Sequence, residues 1–158
     1  MVVLHPLKCR NLCTCAENAL LWRDRQVMQT ATQPSLFIIE DDPLFRETLI
    51  DVLALRAVQV RGAGTAREGL ITLRDYVPSV IVLDVQLPDI HGFDLCRIIK
   101  RMDAFKNTPV IFISGSSRYL DARDRVDGAI AGAALFLTKP ITVDKLWSEI
   151  ELLLAGRA

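Results

Sequence analysis

Glu40, Asp41 and Asp42 stand in a row, a further acid, Asp84, closes an otherwise apolar run, Ser114 closes another, and Lys139 precedes a proline just after a third. Carboxylates brought together repel one another and are costly to keep ionised unless a cation neutralises them. An all-oxygen cluster suits Mg2+, a hard ion that retains water and shares its shell with phosphate oxygens. A lysine adds a compact positive charge for a phosphoryl oxygen, and a serine hydroxyl can donate to another. These residue types therefore point to phosphoryl chemistry, provided that the chain brings them together.

The elements that must do so are legible as a change of period. From Ser35 onward, short apolar runs at residues 36–39, 57–60, 80–83, 110–113 and 134–137 alternate with helical stretches. Four of the runs are continuously apolar, as strands buried on both faces of a parallel sheet should be; the second alternates and suits an edge. Between them Phe45, Leu49, Val52 and Leu53 share one helical face, as do Ala66, Leu70, Leu73 and Val77, then Leu95, Cys96, Ile99 and Met102, and finally Val143, Leu146, Trp147, Ile150 and Leu154. The fourth stretch, 119–130, is rich in charge and only weakly amphipathic. Thr65 and Thr142 are expected N-caps, and Pro78 and Pro109 end the connections before strands three and four. Five strands alternating with five helices specify a doubly wound α/β domain, a five-stranded parallel sheet with helices on both faces. The order expected for it is 2-1-3-4-5, with a site at the carboxyl ends of the strands where the order switches. Every chemically informative residue above falls at such an end.

The chain has 158 residues, half of them hydrophobic (51%), enough for one substantial core at 35–155 with a short tail at 156–158. Nineteen basic and nineteen acidic residues cancel, which argues against broad electrostatic binding to nucleic acid or to an anionic membrane. No apolar run approaches the roughly 20 residues of a membrane-spanning helix, and no secretory signal opens the chain, so a cytoplasmic location with reduced thiols is expected. Residues 1–34 lie outside the repeat. Thr14 and Glu17 form a possible capping box for a helix over 15–29, followed by a polar linker; translation from Met28 is the competing reading. Cys9, Cys13 and Cys15 have an irregular spacing, with His5 the only other nearby ligand, which favours unpaired thiols over a zinc site. Cys96 reads as a small core residue, and His91 as an exposed loop residue. Of the three consecutive acids, Asp42 is expected to be merely solvated.

Taken together the motifs resemble the bacterial response-regulator receiver family, over nearly all of residues 35–155. Phe37-Ile-Ile-Glu-Asp-Asp-Pro-Leu-Phe-Arg46 looks like its acidic start. Val82-Leu-Asp-Val-Gln-Leu-Pro-Asp-Ile-His-Gly92 looks like its phosphoacceptor strand and loop, and Phe112-Ile-Ser-Gly115 and Phe136-Leu-Thr-Lys-Pro140 match its last two motifs. The resemblance implies a flavodoxin-like receiver fold of a two-component or phosphorelay system. It makes Asp84 the phosphoacceptor that attacks a phosphohistidine on a sensor histidine kinase or histidine phosphotransfer protein. Asp41 would bind Mg2+ directly, Glu40 partly through water, with Asp84 and the backbone carbonyl of Gln86 completing the metal site. Ser114 and Lys139 would contact the phosphoryl group, Ser114 and Phe136 would form the switch, and the Lys139–Pro140 bond would be cis. Such a protein assists its own phosphorylation and dephosphorylation and is not an enzyme in the usual sense.

With no effector domain after the repeat, output is expected through protein contact, on the face of helix four, strand five and helix five, with no direct role for nucleic acid. Two other readings stand beside this one. A pseudo-receiver would dock partners without phosphorylation but would have lost a key residue, and none is lost here. A haloacid-dehalogenase-type enzyme would carry its nucleophile in an Asp-x-Asp motif after the first strand rather than the third.

Overall fold

The computed structural model describes residues 33–115 and 122–156; the expected helix over 15–29, Cys9, Cys13 and Cys15, and the start of the fourth helical stretch lie outside them. Within the described residues five strands alternate with five helices: β1 (Ser35–Ile39), α1 (Pro43–Ala54), β2 (Gln59–Ala63), α2 (Ala66–Thr72), β3 (Val80–Asp84), α3 (Gly92–Arg101), β4 (Val110–Ser114), α4 (Ala122–Ile130), β5 (Leu135–Thr138) and α5 (Val143–Ala155). All strand pairs are parallel and the order is β2-β1-β3-β4-β5, as expected.

Successive strand side chains point to opposite faces, so one continuous apolar run builds two cores. Phe37, Ile39, Ile81, Leu83, Val110 and Phe112 join Leu95, Cys96 and Ile99 of α3 on one face. Leu36, Ile38, Val80, Val82, Ile111 and Ile113 join Leu49 and Leu53 of α1 and Leu146 and Ile150 of α5 on the other. Each such fully buried side chain contributes about 1.5–3 kcal/mol relative to exposure, which fixes the register of the central strands. Thr65 and Thr142 cap α2 and α5 as expected, accepting from Glu68 N and Lys145 N. Cys96 is fully buried, its thiol donates to the Ala131 carbonyl, and burial pushes its pKa up to about 11. It is a core residue with little thiolate character.

Three boundaries differ from the sequence reading. Strand two begins at Gln59, not Ala57, because Ala57 occupies the left-handed region (φ 56°) in the turn that leaves α1. Val58 keeps its apolar role by packing under the sheet edge instead. Helix α2 stops at Thr72 with Leu73 as its C-cap, and tight turns through Arg74 and Asp75 follow. Val77, expected on the buried helical face, is consequently off the helix and exposed. Strand five is displaced by one residue to Leu135–Thr138, the register in which Ser114 faces Thr138. No helix among the described residues is long and apolar enough to cross a membrane.

Candidate functional site

The carboxyl ends of β1, β3, β4 and β5 bring Glu40, Asp84, Ser114 and Lys139 into one pocket, with Asp41 at its rim. Glu40 leaves β1 with its N–H on the Ala63 carbonyl (3.0 Å), which carries the sheet register one residue further and leaves the residue only 2% exposed. Arg46, on the first turn and a half of α1, donates to the carbonyls of Glu40 (2.7 Å) and Asp41 (3.5 Å) and so pins the loop. Asp42 turns the other way. Its side chain accepts from Leu44 N (2.9 Å) and Phe45 N (3.2 Å), and Pro43 follows it, so it is the N-cap of α1 rather than a merely solvated acid. An Asp-Pro pair ahead of an apolar helical face is itself the signature of such a cap.

Asp84 ends β3, 5% exposed. Its Oδ1 accepts from Gln86 N (2.9 Å) and its Oδ2 from Lys139 Nζ (2.8 Å). The loop that follows closes by a bond from Gly92 N to the Val85 carbonyl (2.9 Å) and a bridge between Gln86 and His91. A Cβ at Gly92 would lie 2.3 Å from the Asp84 carbonyl oxygen and 2.9 Å from Val85 Cα, so only glycine permits this return of the backbone against the acid. His91 is half-buried and caps α3, with Nδ1 accepting from Phe93 N and its ring edge-on to Phe93. It is thus a structural residue and not the exposed loop side chain expected. Asp89 in the same loop accepts from Ala66 N (3.0 Å) and Arg67 N (2.9 Å) at the start of α2. Burial would raise its pKa, but those backbone N–H groups outweigh it and hold the carboxyl below its usual range.

Ser114 closes β4 and is 1% exposed, and its carbonyl accepts from Lys139 N (2.8 Å). That bond ties the Lys139 backbone to the end of β4, and the Lys139–Pro140 peptide that follows is cis. The Lys139 ammonium meets both oxygens of Glu40 (2.8 and 2.7 Å) and Oδ2 of Asp84 (2.8 Å). Burial alone would lower the Lys139 pKa, but the bonds to Asp84 and Glu40 raise it. For Glu40 the balance runs the other way: burial, reinforced by the charge of Asp84 and opposed by Lys139, lifts its pKa to about 7. One ammonium does not neutralise three acids.

Glu40, Asp41 and Asp84 each offer a ligand atom, all within 4.8 Å of one another. Hard oxygens at that spacing, with excess negative charge and one acid open to water, fit a small divalent ion that keeps part of its hydration. Gln86 lies beside them with an exposed side chain. Phe136 is half-buried on β5, tilted against Phe112 (6.0 Å between centroids) and Phe93 (6.3 Å). Five of the residues singled out in the sequence thus converge here, and Phe136 stands apart on the aromatic cluster.

A parallel sheet with its switch point occupied by acids, a hydroxyl and a lysine defines a receiver. The chain belongs to the response regulator receiver domain family, whose model matches residues 36–151. It is similar to the transcriptional regulatory protein AfsQ1 of Streptomyces coelicolor, 39% identical over 68% of this chain and 45% of that protein. It is likewise similar to protein PilG of Pseudomonas aeruginosa, 30% identical over 73% of this chain and 84% of that one. Among solved structures it resembles the signal receiver domain of a signal transduction histidine kinase from Syntrophus aciditrophicus, 32% identical, with a TM-score of 0.70 over 78% of this chain and 91% of that one. The chain spans about half the length of the transcriptional regulators it matches, 45% and 50% for the first two.

Proposed function

We propose that this receiver accepts a phosphoryl group on Asp84 from a phosphohistidine of a sensor histidine kinase or histidine phosphotransfer protein, with Mg2+ as the required ion. The observation that carries the proposal is the placement of Asp84. It is a nearly buried carboxylate at the end of the central strand, bonded to Lys139 on one oxygen and to a backbone N–H on the other, beside Glu40 and Asp41. An Asp84 oxygen attacks phosphorus in line, the phosphorus–nitrogen bond breaks, and the electron pair leaves with the imidazole. Little covalent chemistry falls to the protein in such a transfer; position and charge carry it.

Asp41, Glu40, Asp84 and the Gln86 carbonyl would hold the ion, which supplies positive charge to the phosphoryl oxygens when bound. Lys139 already touches the oxygen of Asp84 and needs only to exchange one carboxylate contact for a phosphoryl oxygen. The Ser114 hydroxyl donates to another, and movement of Ser114 lets Phe136 turn inward between β4 and α4. That rearrangement reshapes the face of α4, β5 and α5, where a downstream protein would read the state; a ligand shifts such an equilibrium only by its differential affinity. Incubation with acetyl phosphate and Mg2+ tests the proposal: intact mass should show one added phosphoryl group, lost on chelation and in Asp84→Asn. Labelling of Asp84→Asn to the wild-type extent would overturn it.

A further inference from the structure

Lys139 is held by more than its two acids. The ring of Phe45 lies against the same ammonium, with Nζ 4.6 Å from the ring centroid. An ammonium has three N–H donors, and those of Lys139 point to Glu40 Oε1, Glu40 Oε2 and Asp84 Oδ2. The aromatic face is a further favourable neighbour for the charge, and it shields part of it from water. We infer that Phe45 is a positioning residue of the phosphoryl site, holding the Lys139 ammonium over Asp84 by a cation–π contact. This inference rests on the proposed transfer to Asp84.

The chain supplies that contact through local structure. Asp42 caps α1 and accepts directly from Phe45 N, which fixes Phe45 at the third helical position. There the half-buried ring packs against the core shared by α1, α5 and the sheet, so its rotamer is supported from below. Lys139 follows directly on β5, its backbone N–H tied to the Ser114 carbonyl. Its side chain keeps 22% of its surface exposed, enough to swing outward were the ring removed. An aliphatic side chain of similar bulk fills the space but lacks the negative ring face that attracts the cation.

The first readout needs no phosphorylation. In the wild-type protein the ring current of Phe45 should shift the Lys139 ε-methylene protons upfield in carbon–proton NMR spectra; the shift should vanish in Phe45→Leu and return in Phe45→Tyr. The second is the rate of Asp84 labelling by acetyl phosphate with Mg2+. Phe45→Leu should be slower by about five-fold, the size of a partly desolvated cation–π contact, and Phe45→Tyr should restore the rate. A wild-type Lys139 without the upfield shift overturns the inference and needs no variant to fold. So does a Phe45→Leu protein that labels at the wild-type rate, or a Phe45→Tyr protein as slow as Phe45→Leu. A wild-type protein that shows the shift but takes no phosphoryl group leaves the contact standing and sinks the proposed function instead.

Discussion

Replacing Lys139 by methionine removes the ammonium bonded to both Glu40 and Asp84 while keeping most of the side-chain volume. The ion pairs lost are short, 2.7 and 2.8 Å, and both acids are nearly buried. Breaking a buried pair from one side costs about 3–5 kcal/mol, since the remaining charge is left uncompensated. Partial exposure of the lysine discounts this towards about 3 kcal/mol at about pH 8 in metal-free buffer. The penalty is pH-dependent through Glu40. Its folded-state pKa of about 7 lies above the ordinary value of 4.5, so the folded protein binds the extra proton between those two values. Wild-type stability from this group is therefore greatest at low pH and falls by roughly 3 kcal/mol as pH rises through 7. Loss of the lysine removes an interaction that lowers that pKa, so the variant keeps the proton to still higher pH, and its penalty should be smaller by about 1 kcal/mol at about pH 5. Urea melts of both proteins at the two pH values measure this. A penalty below about 1 kcal/mol at the higher pH, or one that grows on acidification, would refute the reasoning.

Asp89→Ala should destabilise the fold by about 1 kcal/mol in chemical melts, the usual value of an N-terminal helix cap. Because the Asp89 pKa is lowered, that contribution is present above its ordinary value of 3.8 and lost as pH falls through the depressed one, so wild type and variant should converge in acid. Gly92→Ala pushes a methyl into the Asp84 carbonyl and should cost roughly 2–3 kcal/mol, with loss of Asp84 labelling because the end of β3 must shift. Asp41→Ala should weaken Mg2+ binding, measured by calorimetry, by at least about ten-fold, or roughly 1.4 kcal/mol.

The strand order and the convergence of four strand ends were legible because buried parallel strands read as apolar runs, and the informative residues closed those runs. Glu40, Asp84, Ser114 and Lys139 needed only the order of the sheet to bring them together. What escaped were features decided by local backbone geometry or by approach in space. Nothing in the alternating pattern at 57–60 warned that Ala57 would take a left-handed conformation and delay β2 by two residues. Val77 matched a helical period that α2 does not live long enough to use. Asp42 sits beside two pocket acids yet spends its oxygen on a helix terminus, and the proline after it was the available clue. Phe45 and Arg46 read as an ordinary apolar and an ordinary basic helical residue. Their contacts with Lys139 and with the Glu40 carbonyl exist only because α1 starts directly over the pocket. Asp89 likewise acts on α2, which precedes it by more than twenty residues.

The central claim is that Asp84 carries the phosphoryl group, and the most direct measurement locates it. The wild-type protein is phosphorylated with acetyl phosphate and Mg2+, trapped by borohydride reduction, which converts an aspartyl phosphate to homoserine and a glutamyl phosphate to hydroxynorvaline, and mapped by tandem mass spectrometry. Homoserine at position 84, with Glu40, Asp41 and Asp42 unchanged, is the predicted result. A reduced side chain at any other acid, homoserine at an aspartate or hydroxynorvaline at a glutamate, or no homoserine at position 84 under conditions where the intact mass shows a phosphoryl group, would contradict it.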